Sequence, residues 1–159
     1  MSIVLRRSFG ARHVDVRPFY KGDNAFGLGD LAILQRFNKN VCSIAGHSIR
    51  PVAGLERLRD DVQYFTFLRE PISRYVSLYR FRRAQGLHDV EFDEAWVKNP
   101  WYFNEMTRFI AGKPDADAAF KILRDRVLFV GMQERFDESL LMLKRMVAGG
   151  ELDILYGHA

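Results

Sequence analysis

Tyr64-Phe65-Thr66-Phe67-Leu68-Arg69-Glu70-Pro71-Ile72-Ser73-Arg74-Tyr75-Val76-Ser77-Leu78-Tyr79 reads as a strand that runs through a turn and straight into a helix. The first five residues are aromatic or β-branched apart from Leu68 and carry no charge, the pattern of a strand covered on both faces. Pro71 suits the first helical position, where its missing N–H would have had no partner anyway. From there Ile72, Tyr75, Val76 and Tyr79 fall at spacings of three and four, which predicts one apolar helical face. Arg69 then stands at the carboxyl end of the strand, the edge where open α/β sheets bind ligands. Ser77 lies a little over two helical turns further on. A guanidinium and a hydroxyl so placed can grip one phosphate. The same pattern also fits a salt-bridged structural arginine and a small packing serine.

Working outward, residues 2–9 predict a short helix closed by Gly10, and residues 13–16 a short strand. Residues 18–29 read as loop. Asp30 is a good cap for a helix over 31–39, with Leu31, Leu34 and Phe37 on one side. Residues 41–45 predict a second strand, in which the single cysteine, Cys42, reads as a small buried packing residue. Residues 55–61 read as a short helix or turn. Further helices are expected over 92–98, over 101–111, from Asp115 or Asp117 to 124, and over 134–147 before Gly149-Gly150. The last of these carries Phe136, Leu140, Leu143 and Val147 inward. Residues 127–130 are another apolar strand. Strands alternating with helices argue for an α/β fold with a parallel sheet covered by helices.

A chain of 159 residues is one domain by length, and 48% hydrophobic with 28% charged residues is ordinary for a globular protein. The 24 basic residues, mostly arginine, exceed the 20 acidic ones, for a net charge of +4. That suits an anionic ligand and is too mild to call for nucleic acid. Five arginines lie between Arg69 and Arg83, of which Arg80, Arg82 and Arg83 also fit a solvated helix face. One cysteine excludes an internal disulfide. No apolar run is long enough for a membrane span, and no signal peptide is visible, which leans toward the cytoplasm. The scattered histidines and lone cysteine show no metal-ligand spacing.

The stretch quoted first resembles the 3′-phosphate-binding segment of sulfotransferases that use 3′-phosphoadenosine 5′-phosphosulfate (PAPS). The nearest form is that of the carbohydrate sulfotransferases related to the heparan sulfate 2-O-sulfotransferases. Their pattern is an apolar strand, Arg-Asp-Pro, two residues, Arg, two residues and Ser, with an aromatic nearby. Arg69, Pro71, Arg74, Ser77 and Tyr79 match it, and Glu70 replaces the usual aspartate. The resemblance implies that Arg69 and Ser77 hold the 3′-phosphate of the nucleotide. It extends with less specificity over about residues 41–147, through Asn104-Glu105-Met106-Thr107-Arg108 and Glu134-Arg135-Phe136-Asp137-Glu138. Asn104 and Arg108 are then candidates to reach substrate or nucleotide, or residues that order the fold through hydrogen bonds.

The pair Gly46-His47 resembles the segment that supplies the catalytic histidine in these enzymes. Histidine near its ordinary pKa is an apt base for a hydroxyl attacking sulfur. If strand 41–45 runs parallel to strand 64–68, His47 and Arg69 emerge at one sheet edge. His13, His88 and His158 have no such context. Trp96, Trp101 and Phe103 can line a sugar cleft, although helix-spaced aromatics are more often core.

The family's other half-site is a strand and a Lys-x-Gly/Ala-Gly-Thr-Ser/Thr loop that cradles the 5′-phosphosulfate. No stretch of this sequence matches it. Lys21-Gly22-Asp23-Asn24 lacks the preceding strand, and Gly27-Leu28-Gly29-Asp30 puts a carboxylate where phosphate would sit. Residues 2–10 look like the helix that follows the loop. The expectation is therefore a single sulfotransferase domain over 1–159, truncated or mis-started at its amino end. Its fold would be P-loop-like and three-layered, with a short parallel sheet but without the first strand and phosphate loop. The implied reaction moves a sulfuryl group from PAPS, without a metal, to a hydroxyl of a carbohydrate-type acceptor. The alternative is an inactive domain that keeps nucleotide binding or a scaffold role.

Overall fold

The charge-free run Tyr64–Leu68 is a strand, and Pro71 opens a helix directly after it. These come from a computed structural model that describes residues 1–19, 25–57, 61–86, 92, 94–102, 104–147 and 152–154. The order is α1 Ser2–Phe9, β1 His13–Asp15, α2 Leu28–Phe37, β2 Ser43–Ala45, β3 Tyr64–Leu68 and α3 Pro71–Ala84. Then follow α4 Glu94–Val97, α5 Glu105–Ala111, α6 Ala116–Arg126, β4 Val127–Met132 and α7 Phe136–Met146. Helices alternate with parallel strands, so the fold class is α/β.

The strands form two parallel pairs rather than one sheet. In the first, His13, Val14 and Asp15 of β1 pair with Ser43, Ile44 and Ala45 of β2. In the second, β3 pairs with β4 from Tyr64–Val127 to Leu68–Met132. Among the described residues no ladder joins β2 to β3. Each of them pairs with one strand among the described residues, β2 with β1 and β3 with β4.

Two apolar clusters pack against the strand pairs, while Leu128, Val130 and Met132 of β4 stay exposed. One joins Val16, Phe26, Leu31, Leu34, Val41, Leu55 and Tyr64, with Val14, Ile44 and Val127 packed against it. The other joins Leu5, Phe129, Leu143 and Leu152, with Ala45, Phe65 and Phe67 against it. Gly131 lets Phe67 lie across β4, since a Cβ there would sit 2.7 Å from the Phe67 ring. At the end of β4 the Ser139 hydroxyl accepts from Met132 N–H at 3.0 Å and docks α7.

Several local expectations are corrected. The side chain of Asp30 is a cap, but α2 begins two residues earlier, at Leu28. Asp30 is buried and accepts from Gly27 N–H at 2.9 Å and Phe19 N–H at 2.8 Å. Phe37 is 84% exposed although Leu31 and Leu34 are buried. Each spacing of three falls about 60° short of a full turn, so the third residue leaves the apolar stripe. Cys42 lies just before β2 and is exposed, while the preceding Val41 is the buried residue there. Ile72 is likewise exposed, and the buried face of α3 is made by Leu78 and Tyr79 with Tyr75 beside them. The helix expected over 101–111 is broken, because Asn104 adopts φ 53°, a left-handed conformation asparagine tolerates. Asp115 caps α6 by accepting from Ala118 N–H at 2.9 Å. The expectations for residues 20–24, 58–60, 88, 103, 148–151 and 158, and for the Trp101 side chain, lie outside the described residues.

Tyr64 ties the start of β3 to the chain before it. Its hydroxyl donates to Glu56 Oε2 at 2.8 Å and accepts from Leu55 N–H at 3.0 Å, and Arg126 pairs with Glu56. Burial first, then the Glu56 carboxylate, push the Tyr64 phenol up to about 12. The unfolded phenol titrates near 10. The raised value therefore adds stability that is full below pH ~10 and is lost as pH climbs through ~12, about 2–3 kcal/mol in all. Over that window the native chain is expected to lose more stability than Tyr64→Phe. Equal slopes in urea unfolding at rising pH would contradict this.

Candidate functional site

The site is set by the junction of β3 and α3. The peptide after Arg69 turns because Glu70 takes the cap position, and its carboxylate accepts from Ser73 N–H at 2.6 Å and Ile72 N–H at 3.0 Å. Those two backbone bonds, Ser73's first, and the neighbouring Arg69 hold the Glu70 carboxyl below the usual carboxylate range. Glu70 thus caps α3. It also occupies the first free N–H groups of α3, so an anion arriving here meets the Arg69 guanidinium rather than the helix terminus.

Arg69 is 34% exposed, with its Nε 3.7 Å from Glu134 Oε1. The same carboxylate oxygen accepts from Glu70 N–H at 3.1 Å. Glu134 lies in the turn after β4, and the Leu68–Met132 pairing brings it alongside. An ion pair this long and this exposed is worth at most about 1 kcal/mol, so it orients Arg69 without locking it. Nothing in the sequence identifies Glu134 as its partner.

Ser77 sits half-buried two turns into α3. Other residues of the motif are structural. Arg74 bridges to Glu105 of α5 at 2.9 Å, and Tyr79 is buried against Trp96 with ring centroids 5.2 Å apart. Arg82 lies over the Tyr102 ring at 5.0 Å, and Arg83 donates to the Tyr79 hydroxyl at 2.9 Å, so neither is a merely solvated charge. Trp96, one of the aromatics proposed for a sugar cleft, is fully buried and belongs to the core.

His47 is exposed in the turn after β2. The turn is held by close approach of two backbones: a Cβ on Gly46 would stand 2.3 Å from the Val16 carbonyl oxygen. Val16 N–H in turn donates to Ala45 O at 2.7 Å. His47 follows β2, which pairs with β1, and Arg69 follows β3, which pairs with β4. Arg69 and Ser77 are joined through one strand–helix unit, whereas His47 belongs to the other strand pair. His13, which has no distinguishing sequence context, is buried between Ser43 Oγ at 3.0 Å and Asp15 Oδ1 at 3.3 Å.

Beside the α3 terminus is an open cleft of about 360 Å³ lined by Pro71, Ile72, Tyr75, Tyr102 and Asn104. Asn104 enters it through its left-handed backbone, with its carbonyl accepting from Thr107 Oγ1 at 2.7 Å. Arg108 donates to Pro100 O at 2.8 Å, which is a fold-ordering contact. Among the described residues no group of three or more His, Cys, Asp or Glu can hold a metal ion. No described helix is long and apolar enough to cross a membrane. No family model, curated protein or solved structure matches this chain.

Proposed function

We propose that this chain carries the 3′-phosphate half-site of a PAPS-dependent sulfotransferase of carbohydrate type. The observation that supports it most is the placement of Arg69 at the carboxyl end of β3, partly exposed, followed by a Glu70-capped helix bearing Ser77. A guanidinium and a hydroxyl fit a phosphate monoester, to which both donate hydrogen bonds. PAPS supplies the activated sulfuryl group. In the proposed reaction the acceptor oxygen bonds to sulfur while the bond from sulfur to the phosphate oxygen breaks, and His47 takes the acceptor's proton. On this reading the fold is P-loop-like.

The second reading is an inactive nucleotide-binding domain. It is favoured by the lack of any Lys-x-Gly-Gly-Thr stretch in the sequence, since such a loop provides positioning and leaving-group stabilisation. Calorimetry with 3′-phosphoadenosine 5′-phosphate tests what both readings share. Saturable heat in the micromolar to millimolar range is expected. A flat titration at millimolar nucleotide refutes the half-site.

A further inference from the structure

Strand β4 combines an unshared edge with an uncovered apolar face. Among the described residues it pairs with β3 alone. Its Phe129 and Gly131 are buried, whereas Leu128, Val130 and Met132, which alternate with them, are exposed. Natural edge strands carry charge or proline that keeps other strands off. The six residues of β4 hold neither. By contrast β1 carries Asp15, ion-paired to Arg6.

The flanks of β4 are charged in a self-complementary way. Val130 is the middle of the exposed triplet, with Arg126 four residues before it and Glu134 four after it. Their side chains are 30% and 41% exposed. A second β4 laid antiparallel along the first, with a two-fold axis at Val130, sets each Arg126 beside the Glu134 of the other copy. These end contacts add to the pairs that Arg126 makes with Glu56 and Glu134 with Arg69 inside one chain. In the same register Val130 faces its own copy and Leu128 faces Met132, so every cross-strand pair on the exposed face is apolar. Sliding the copy by two residues sets Leu128 against Glu134, or Met132 against Arg126. The charges therefore select one register.

We propose that this chain forms a two-fold dimer through the edge of β4 turned away from β3. The β3–β4 pair then continues across the axis into a second β4 and β3. Such a contact uses the same patch on both copies, so it closes on itself and leaves no edge of β4 for further growth. One strand pair is small beside a standard interface of about 1,600 Å², so the dimer is a micromolar one.

Sedimentation without nucleotide tests the dimer independently of the proposed half-site. The native chain should shift from one chain mass toward two between roughly 1 µM and 1 mM. Val130→Lys sets two ammonium groups face to face on the axis and should stay monomeric over that range. Its circular dichroism should remain native, because residue 130 is exposed. Cysteine cross-linking with oxidised glutathione, in a Cys42→Ser background, reads the register. Val130→Cys should yield a disulfide-linked dimer, since facing residues bring their Cα atoms within disulfide range. Leu128→Cys alone should not, because its counterpart lies about 13 Å away along the strand. Mixed with Met132→Cys it should. A native chain that stays monomeric at millimolar concentration overturns the proposal. So does a dimer unmoved by Val130→Lys, or Leu128→Cys cross-linking to itself as readily as Val130→Cys.

Discussion

Arg69→Ala is expected to weaken binding of 3′-phosphoadenosine 5′-phosphate by roughly 10- to 150-fold while leaving the fold intact. A hydrogen bond to a charged group contributes about 1.5–3 kcal/mol, and one guanidinium–phosphate contact is what the substitution removes. The structural loss is small by comparison. Arg69 is partly exposed and its ion pair with Glu134 spans 3.7 Å, a contact worth at most about 1 kcal/mol. Calorimetry measures the first quantity and urea unfolding the second. Glu134→Gln is the control: it removes the carboxylate charge beside Arg69 and should leave nucleotide binding unchanged or tighter. An Arg69→Ala protein that binds like the native chain assigns Arg69 to the ion pair alone.

Trp96→Ala should destabilise the fold by about 3–5 kcal/mol, the range for truncating a large buried aromatic. Trp96 is fully buried, stacks on Tyr102 with centroids 3.7 Å apart and planes 17° from parallel, and meets Tyr79 edge-on at 5.2 Å. Tyr75 donates its hydroxyl to the Trp96 carbonyl at 3.1 Å. These rings hold the inner face of α3, and a domain has only about 5–15 kcal/mol of stability to lose. The check is a lowered urea midpoint together with a collapsed near-ultraviolet dichroism signal. A shift under about 1 kcal/mol would show that Tyr75, Tyr79 and Tyr102 close over the cavity. Because Ser77 lies within one turn of Tyr79 on α3, nucleotide affinity should fall alongside stability.

Much of the local architecture is legible in residue order. The apolar run before Arg69, proline at the first helical position and the spaced rings that follow predict β3 and α3, and both form there. Asp115 and Asp117 are equally good caps by residue type, and the hydrogen bond from Ala118 N–H selects Asp115. Patterning errs where a residue's neighbour in space is distant in sequence. Phe37 and Ile72 continue apolar spacings yet stay exposed, because no described layer of the fold covers them. Cys42 is exposed because β2 starts only at Ser43 and Val41, not Cys42, enters the apolar cluster. Asn104 interrupts a periodic stretch through one backbone angle that its residue type permits but does not require.

The candidate site divides in the same way. By itself the sequence determines that a positive side chain follows a strand, that a cap and proline start a helix there, and that a hydroxyl comes two turns on. These depend on hydrogen bonds and rotamers within a few residues. Only the tertiary structure decides that Glu134 stands beside Arg69, although Glu70 and Glu134 are 64 positions apart in the chain. It also decides that β2, which His47 follows, pairs with β1, while β3, which Arg69 follows, pairs with β4. Strand pairing is a choice among distant segments of similar apolar composition. What settles it is the burial of both faces at once, which no short stretch of residues records.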